Sequence, residues 1–154
     1  MENMKQVTEK HFYTKMKSFG NFTISKIQVN PFACTSEKGD YMIQSKELDI
    51  IVECKEVIMT QRKSDPRFSL NRFTQEYKMI MWEESWDRNK GFLLLNYWRL
   101  NRNRSSVFLI PVKVWIERKN KIKRSFIKVE EALELFGDCK LRPSWDDIEM
   151  RLLK

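Results

Sequence analysis

Two almost unbroken apolar runs constrain the fold of this 154-residue chain more than any other feature. They read GFLLLNYW at residues 91–98 and SSVFLIPVKVW at residues 105–115. A strand with one solvated face alternates apolar and polar residues, whereas a strand covered on both faces is apolar throughout. The two runs therefore predict the central strands of a sheet with helices on both sides.

The remaining pattern predicts an α/β sandwich with a mixed sheet in the order αβββαββαα. Helical spacing predicts a first helix at residues 5–18 and a longer one at residues 69–89 ended by Gly91, with a strand at residues 22–29 between them. The longer helix has two apolar stripes, so we expect the sheet on one side and another helix or subunit on the other. Two short helices, in SFIKVEEALELFG and in PSWDDIEMRLL with Ser144 as its cap, complete the chain. A hydrophobic content of 42% and this length suit a single domain spanning residues 1–154.

Charged side chains interrupt the hairpin pattern GDYMIQSKELDIIVECKEV of residues 39–57. Successive strand residues point to opposite faces, so Glu53 and Lys55 share one face. A reversal at Lys46-Glu47 places Asp40 opposite Glu53, with Cβ atoms roughly 5 Å apart. Asp49 has the same parity as Glu53 but lies about 13 Å away along the strand. We therefore choose Asp40 as the partner of Glu53.

Two converging carboxylates and an ammonium group suit phosphodiester hydrolysis. Asp40 and Glu53 provide the oxygen ligands that Mg²⁺ prefers, and Mn²⁺ is expected to substitute for it. A metal held there activates water and neutralises the charge that develops on phosphate, while Lys55 stabilises the same charge. The competing interpretation is that Glu53 and Lys55 are an ordinary ion pair on an exposed edge strand.

Positive charge is concentrated between residues 99 and 128, which contain ten Lys or Arg residues against one acid, within a net charge of +8. Such clustering favours a polyanionic partner, nucleic acid first and an anionic membrane surface second, although a merely soluble basic surface is the alternative. The residues expected to contact DNA phosphates are Arg99, Arg102, Arg104, Lys119, Lys121, Lys123 and Arg124.

Three widely separated cysteines indicate neither a zinc site nor a disulfide framework, which favours a reducing compartment. The first twelve residues lack an apolar signal core, and no apolar run is long enough to span a bilayer. We therefore expect a cytoplasmic protein with no membrane partner.

The spacing of Asp40 and Glu53-Cys54-Lys55 resembles the PD-(D/E)XK nuclease motif, and the chain as a whole looks most like the RecU-type Holliday junction resolvases. VECKEV is similar to that family's FEAKET-type strand, and FTQEYKMI to the helix in which it keeps a glutamine, here Gln75. The resemblance implies a restriction-endonuclease-like fold and a homodimeric, Mg²⁺-dependent endonuclease that cuts branched, four-way DNA junctions.

Carried over by position, the resemblance implies that Asp40, Glu53 and Lys55 form the catalytic core. It makes Gln75 a supporting residue and Glu9, on the first helix, a further acid. The alternatives are that Glu9 is a solvated residue at the helix edge and that Gln75 is a simple surface amide.

Two departures from the family concern the choice of substrate. Only ten residues separate Val29 from Asp40, so most of the stalk that the family inserts there is absent. Gly39 stands where a proline or apolar residue usually precedes the aspartate. One alternative is therefore a restriction-like, virus-encoded or mobile-element nuclease of the same fold that acts on duplex DNA. A non-catalytic DNA-binding module is the alternative from a different class.

Overall fold

The computed structural model describes residues 7–27, 39–59, 67–99 and 104–153. Within those ranges the helices are α1 (Val7–Lys17), α2 (Glu76–Glu84), α3 (Val112–Lys119), α4 (Val129–Phe136) and α5 (Ile148–Leu152). The strands are β1 (Thr23–Lys26), β2 (Tyr41–Gln44), β3 (Asp49–Met59), β4 (Arg67–Ser69), β5 (Asn89–Arg99), β6 (Arg104–Pro111) and β7 (Phe126–Lys128).

Five strands form the main sheet in the order β1-β2-β3-β5-β6. Strands β3 and β5 are parallel along eleven paired residues, from Asp49↔Asn89 to Met59↔Arg99, and the other neighbours are antiparallel. Helix α2 lies in the connection between β3 and β5, as a parallel pair requires. The sheet is therefore mixed, as predicted.

Each face of the sheet has its own apolar core. Leu94 and Val52 pack with Phe12 of α1 and Ile148 of α5 on one face. On the opposite face, Leu93, Leu95, Ile51 and Val57 pack with Met79 of α2, Trp115 of α3 and Phe136 of α4. Consecutive leucines of β5 thus enter opposite cores, which explains why its apolar run is unbroken.

The β2–β3 hairpin has the predicted register. Tyr41 pairs with Val52 and Gln44 with Asp49, which leaves Lys46-Glu47 at the centre of the turn. Ser45 completes the turn, since its N–H donates to the Leu48 carbonyl at 2.9 Å and its Oγ accepts the Leu48 N–H at 3.0 Å. This serine stabilises a reversal for which Lys-Glu alone has little preference.

The single long helix predicted at residues 69–89 is wrong. Helix α2 spans only Glu76–Glu84, and it is preceded by β4 and a 3-10 turn at Leu70–Arg72. Strand β4 forms because it pairs with β7, more than fifty residues later, in a second, two-stranded sheet. A partner so distant in sequence overrides the local helical spacing.

Gly91 does not end a helix either, because it lies inside β5. A Cβ at this position would lie 2.4 Å from Cγ and 2.8 Å from Sδ of Met79. The glycine therefore lets α2 pack directly against β5.

Three further boundaries differ from the prediction. Residues 112–115 begin α3 instead of continuing β6, with Pro111 at the junction. In SFIKVEEALELFG, residues 126–128 form β7 before α4 begins. Ser144 does not cap α5, because it has a φ of 65° within a separate 3-10 turn and Asp147 precedes the helix.

No helix in the described ranges is long and apolar enough to cross a membrane.

Candidate active site

The candidate site lies at the edge of β3 where β2 ends. Strand β2 pairs with Asp49–Val52 of β3 only, while β3 continues to Met59. Among the described strands, none pairs with this edge beyond Val52. A cavity of about 630 Å³ opens there. Its walls are residues 53–58 of β3, Thr8 and Glu9 of α1, Asp40, Arg67 and Arg72.

Asp40 is held by three hydrogen bonds at the end of the hairpin. Its N–H donates to the Val52 carbonyl at 3.0 Å, and its own carbonyl accepts the Ile27 N–H at 2.8 Å. Its Oδ2 accepts the Cys54 N–H at 2.8 Å. The side chain thus accepts the β3 N–H that a further residue of β2 would otherwise bind. This hydrogen bond fixes the carboxylate opposite Glu53, as the register predicts.

Glu53 is only 3% exposed and lacks full hydrogen bonding. Lys55 Nζ lies 3.6 Å from its Oε1, and its Oε2 is buried with no hydrogen-bond partner among the described residues. Burial, and after it the negative charge of Asp40, raises the pKa of Glu53 well above the ordinary value, and Lys55 opposes this only in part. Burying such a carboxylate is costly, and groups with strongly shifted pKa values concentrate at functional sites.

Glu9 reaches the same cavity from the first turn of α1. Burial, followed by the charge of Asp40, raises the pKa of its carboxyl group. The structure therefore brings together Glu9, Asp40, Glu53 and Lys55, four of the five residues predicted for catalysis.

Gln75, the fifth, precedes α2 and does not line this cavity. Its carbonyl accepts the Met79 N–H at 2.8 Å, and its side-chain Oε1 is buried without a partner among the described residues. Asp49, the rejected alternative to Asp40, is also outside the cavity, where its carboxylate pairs with Arg88 at 3.1 Å.

A buried polar network, of which Thr8 and Glu56 also form part of the cavity wall, was not predicted from the sequence. Glu56 is 9% exposed, and its Oε2 accepts hydrogen bonds from Thr8 Oγ1 at 2.6 Å and Trp98 Nε1 at 2.9 Å. Asn96 Nδ2 donates to Thr8 Oγ1 at 3.1 Å. The sequence did contain a signal for this network, because the acidic residue Glu56 has the same strand parity as the core residues Val52 and Cys54. The network ties α1, and with it Glu9, to the central strands.

The residues predicted to contact DNA fall into different environments. Arg99 and Arg104 are backbone partners at the neighbouring ends of strands β5 and β6. Arg102 lies outside the described residues. Lys119 forms an ion pair with Glu76, and Arg124 forms one with Glu131. Lys121 and Lys123 are exposed beside them.

Two cavity arginines, Arg67 and Arg72, also escaped prediction. The sequence places Arg67 in a polar connection and Arg72 in a helix, whereas pairing of β4 with β7 positions both at the cavity. No local signal distinguishes them from other charged residues.

The donor set at this edge fits a hard divalent cation. No group of three or more His, Cys, Asp or Glu side chains in the described parts of the chain is arranged to hold a metal. Mg²⁺, however, needs only one or two protein carboxylates, because waters and substrate phosphates complete its shell. Asp40 and Glu53 provide two, and the buried, unpartnered Oε2 of Glu53 is the kind of oxygen that a cation would satisfy.

The sheet order and its flanking helices form the restriction-endonuclease-like α/β fold that was predicted. The solved structure of Hjc, a Holliday junction resolvase from the archaeal hyperthermophile Archaeoglobus fulgidus, is similar to this chain with a TM-score of 0.52. The likeness covers 92% of this chain and 93% of that one, at 11% sequence identity, and therefore concerns the fold. No family model and no curated protein matches the sequence.

Proposed function

We propose that this protein is a metal-dependent DNA endonuclease that hydrolyses phosphodiester bonds at branched DNA. The observation that carries the proposal is the meeting of Asp40, Glu53 and Lys55 at the open edge of β3. A fold similar to that of a Holliday junction resolvase supports it. An accidental ion pair on an edge strand would lie in solvent, whereas Glu53 is buried beside a second carboxylate.

Asp40 and Glu53 would hold Mg²⁺, for which Mn²⁺ would substitute. When bound, the cation supplies positive charge that polarises the phosphodiester and a water molecule. The two carboxylates are preorganised for this task, because the Cys54 N–H fixes Asp40 and burial fixes Glu53.

Lys55 and Glu9 act on the reacting groups from opposite sides of the sheet edge. The Lys55 ammonium, 3.6 Å from Glu53 Oε1, retains donors for a non-bridging phosphate oxygen and stabilises its developing charge. Glu9, which lines the same cavity from α1, would accept a hydrogen bond from the attacking water. Gln75 would support the site only indirectly, because its contacts lie outside the cavity.

A homodimer would present two such sites to the two opposed strands of a four-way junction. Two-fold symmetry in the protein would then match the symmetry of the DNA. Exposed basic residues such as Lys121 and Lys123 would contact phosphates without reading base sequence.

The test is cleavage of labelled four-way junction, linear duplex and single-stranded DNA in Mg²⁺. We expect junction cleavage that falls about 100-fold or more in Glu53→Gln, Asp40→Asn and Lys55→Met. Asp49→Asn is the matched control, because Asp49 lies on the same strand outside the cavity. Its activity should stay close to that of the wild type.

The outcomes separate the proposal from its alternatives. Equal cleavage of plain duplex, abolished by the same substitutions, would indicate a general nuclease of this fold and overturn the junction preference. DNA binding without cleavage in either Mg²⁺ or Mn²⁺ would overturn the enzymatic proposal and leave a DNA-binding module.

A further inference from the structure

Two arginines, Arg67 and Arg72, line the same cavity as the carboxylates, and Arg72 contacts β3 three residues beyond Glu53. We infer that Arg67 and Arg72 bind phosphates of the substrate strand on one side of the phosphate that is cut. The inference rests on the proposed function, because it concerns how that same site positions its DNA.

Arg72 is anchored beside β3. Its Nη1 donates to the Glu56 carbonyl at 3.1 Å, and its Cζ lies 5.2 Å from the centre of the Phe68 ring. Glu56 is three residues beyond Glu53, which corresponds to about 10 Å along a strand. Arg72 is therefore anchored to β3 about 10 Å along the strand from Glu53, which lies at the carboxylate end of the cavity.

Arg67 is positioned by the β4–β7 ribbon. It pairs with Lys128 of β7, and its Cζ lies 4.2 Å from the centre of the Phe126 ring. Arg124 contacts the same ring at 5.3 Å. Stacking on an aromatic ring holds the guanidinium in place, so less side-chain entropy is lost when a phosphate binds.

The distribution of charge along the cavity indicates the kind of ligand. Asp40 lies close enough to Glu9 and Glu53 for its negative charge to raise the pKa of both carboxyl groups, whereas Arg72 contacts the chain at Glu56. A separation of about 10 Å along β3 is longer than one phosphate group spans. A ligand with repeated phosphates reaches both ends of the cavity at once, whereas a single phosphate group reaches only one.

The test measures DNA binding without cleavage, in EDTA, between about 50 and about 200 mM salt. We expect Arg67→Gln and Arg72→Gln each to weaken binding of a labelled duplex and a four-way junction about tenfold. Each should also reduce the slope of log K against log salt by about 0.9, the effect of one lost phosphate contact. Arg142→Gln is the matched control, because Arg142 is exposed and outside the cavity. It should retain the wild-type slope.

Lysine substitutions guard against a purely structural explanation. Arg67→Lys and Arg72→Lys keep the charge and should restore most of the salt slope, while thermal unfolding shows whether each variant is folded. Wild-type affinity and slope in both folded glutamine variants would overturn the inference, whether or not the protein cleaves DNA. Loss of slope in a protein that cleaves nothing would support the inference and overturn only the enzymatic proposal.

Discussion

At the scale of single residues, Glu53 shows how the candidate site opposes stability. Its carboxylate is buried, one oxygen lacks a partner among the described residues, and Asp40 adds negative charge beside it. A residue selected for packing would not combine these three features. Active sites commonly retain such groups at a cost in stability.

Replacing Glu53 with glutamine is therefore expected to stabilise the metal-free protein by about 1 kcal/mol while abolishing cleavage. Because the pKa of Glu53 is raised above its ordinary value of 4.5, the folded state binds this proton more tightly than the unfolded chain. The contribution of Glu53 to stability is then greatest below pH 4.5 and is lost as the pH rises through the folded-state pKa.

Urea unfolding in EDTA across this pH range checks the prediction. Glu53→Gln should lose that part of the pH dependence, whereas Glu47→Gln, in the exposed turn of the same hairpin, should keep it. A marked loss of stability in Glu53→Gln at neutral pH would show that the carboxylate has a structural role.

Thr8 is a second residue whose role can be tested, because it joins α1 to Glu56 and Asn96. Thr8→Val preserves shape but removes both hydrogen bonds, so we expect a loss of about 1–3 kcal/mol in the free energy of unfolding. Thr14→Val, exposed on the same helix, should change stability little. Equal effects of the two substitutions in urea unfolding would contradict the importance of the buried network.

At the scale of elements, the contact between α2 and β5 depends on the missing side chain of Gly91. Met79 fills the space where a Cβ would stand, and Met79 is fully buried. Two close-packed elements cannot separate slightly at one point without losing contacts around it. The glycine is therefore a packing requirement of the fold.

We expect Gly91→Ala to destabilise the protein by about 1–3 kcal/mol through overpacking. Gly137→Ala is the control, since a Cβ there meets nothing within 4 Å. Thermal or urea unfolding of both variants is the measurement. A Gly91→Ala protein as stable as the control would mean that α2 shifts freely on the sheet.

At the scale of the whole molecule, α2 has an apolar outer face. Tyr77 and Met81 are 71% and 53% exposed and lie four residues apart on the same side of the helix, and Trp86 beyond its end is 60% exposed. The sheet packs against the Met79 side and α3 contacts α2 at Glu76, so the exposed Tyr77 and Met81 side chains are the part of the helix that is available to a partner. Clustered exposed apolar side chains are typical of interaction surfaces.

If the proposed homodimer uses this face, Tyr77→Glu combined with Met81→Glu should yield a monomer. Sedimentation velocity at the concentrations used for cleavage measures the change, and junction cleavage should fall with it. Leu133→Glu, at a 40% exposed position on α4, should remain dimeric. A wild-type monomer at those concentrations would contradict the dimer itself.

Local sequence was sufficient for features that depend on neighbouring residues. The apolar runs predicted buried central strands, because burial on both faces removes the need for alternation. Strand parity and the position of the turn predicted that Asp40 faces Glu53, since register follows once the turn is placed. The fold class and the meeting of Asp40, Glu53 and Lys55 were thus contained in the sequence.

Only the tertiary structure decided features that depend on distant partners. Residues 67–69 become a strand because β7 is available to pair with them, and this brings Arg67 to the cavity. Gly91 lies within a strand and not at a helix end, because β5 pairs with β3 there and Met79 packs into the space that a side chain at residue 91 would fill. Glu56 is buried because Thr8 and Trp98 converge on it from α1 and β5. Each outcome depends on the free energy of contacts between segments far apart in the chain, which no local pattern records.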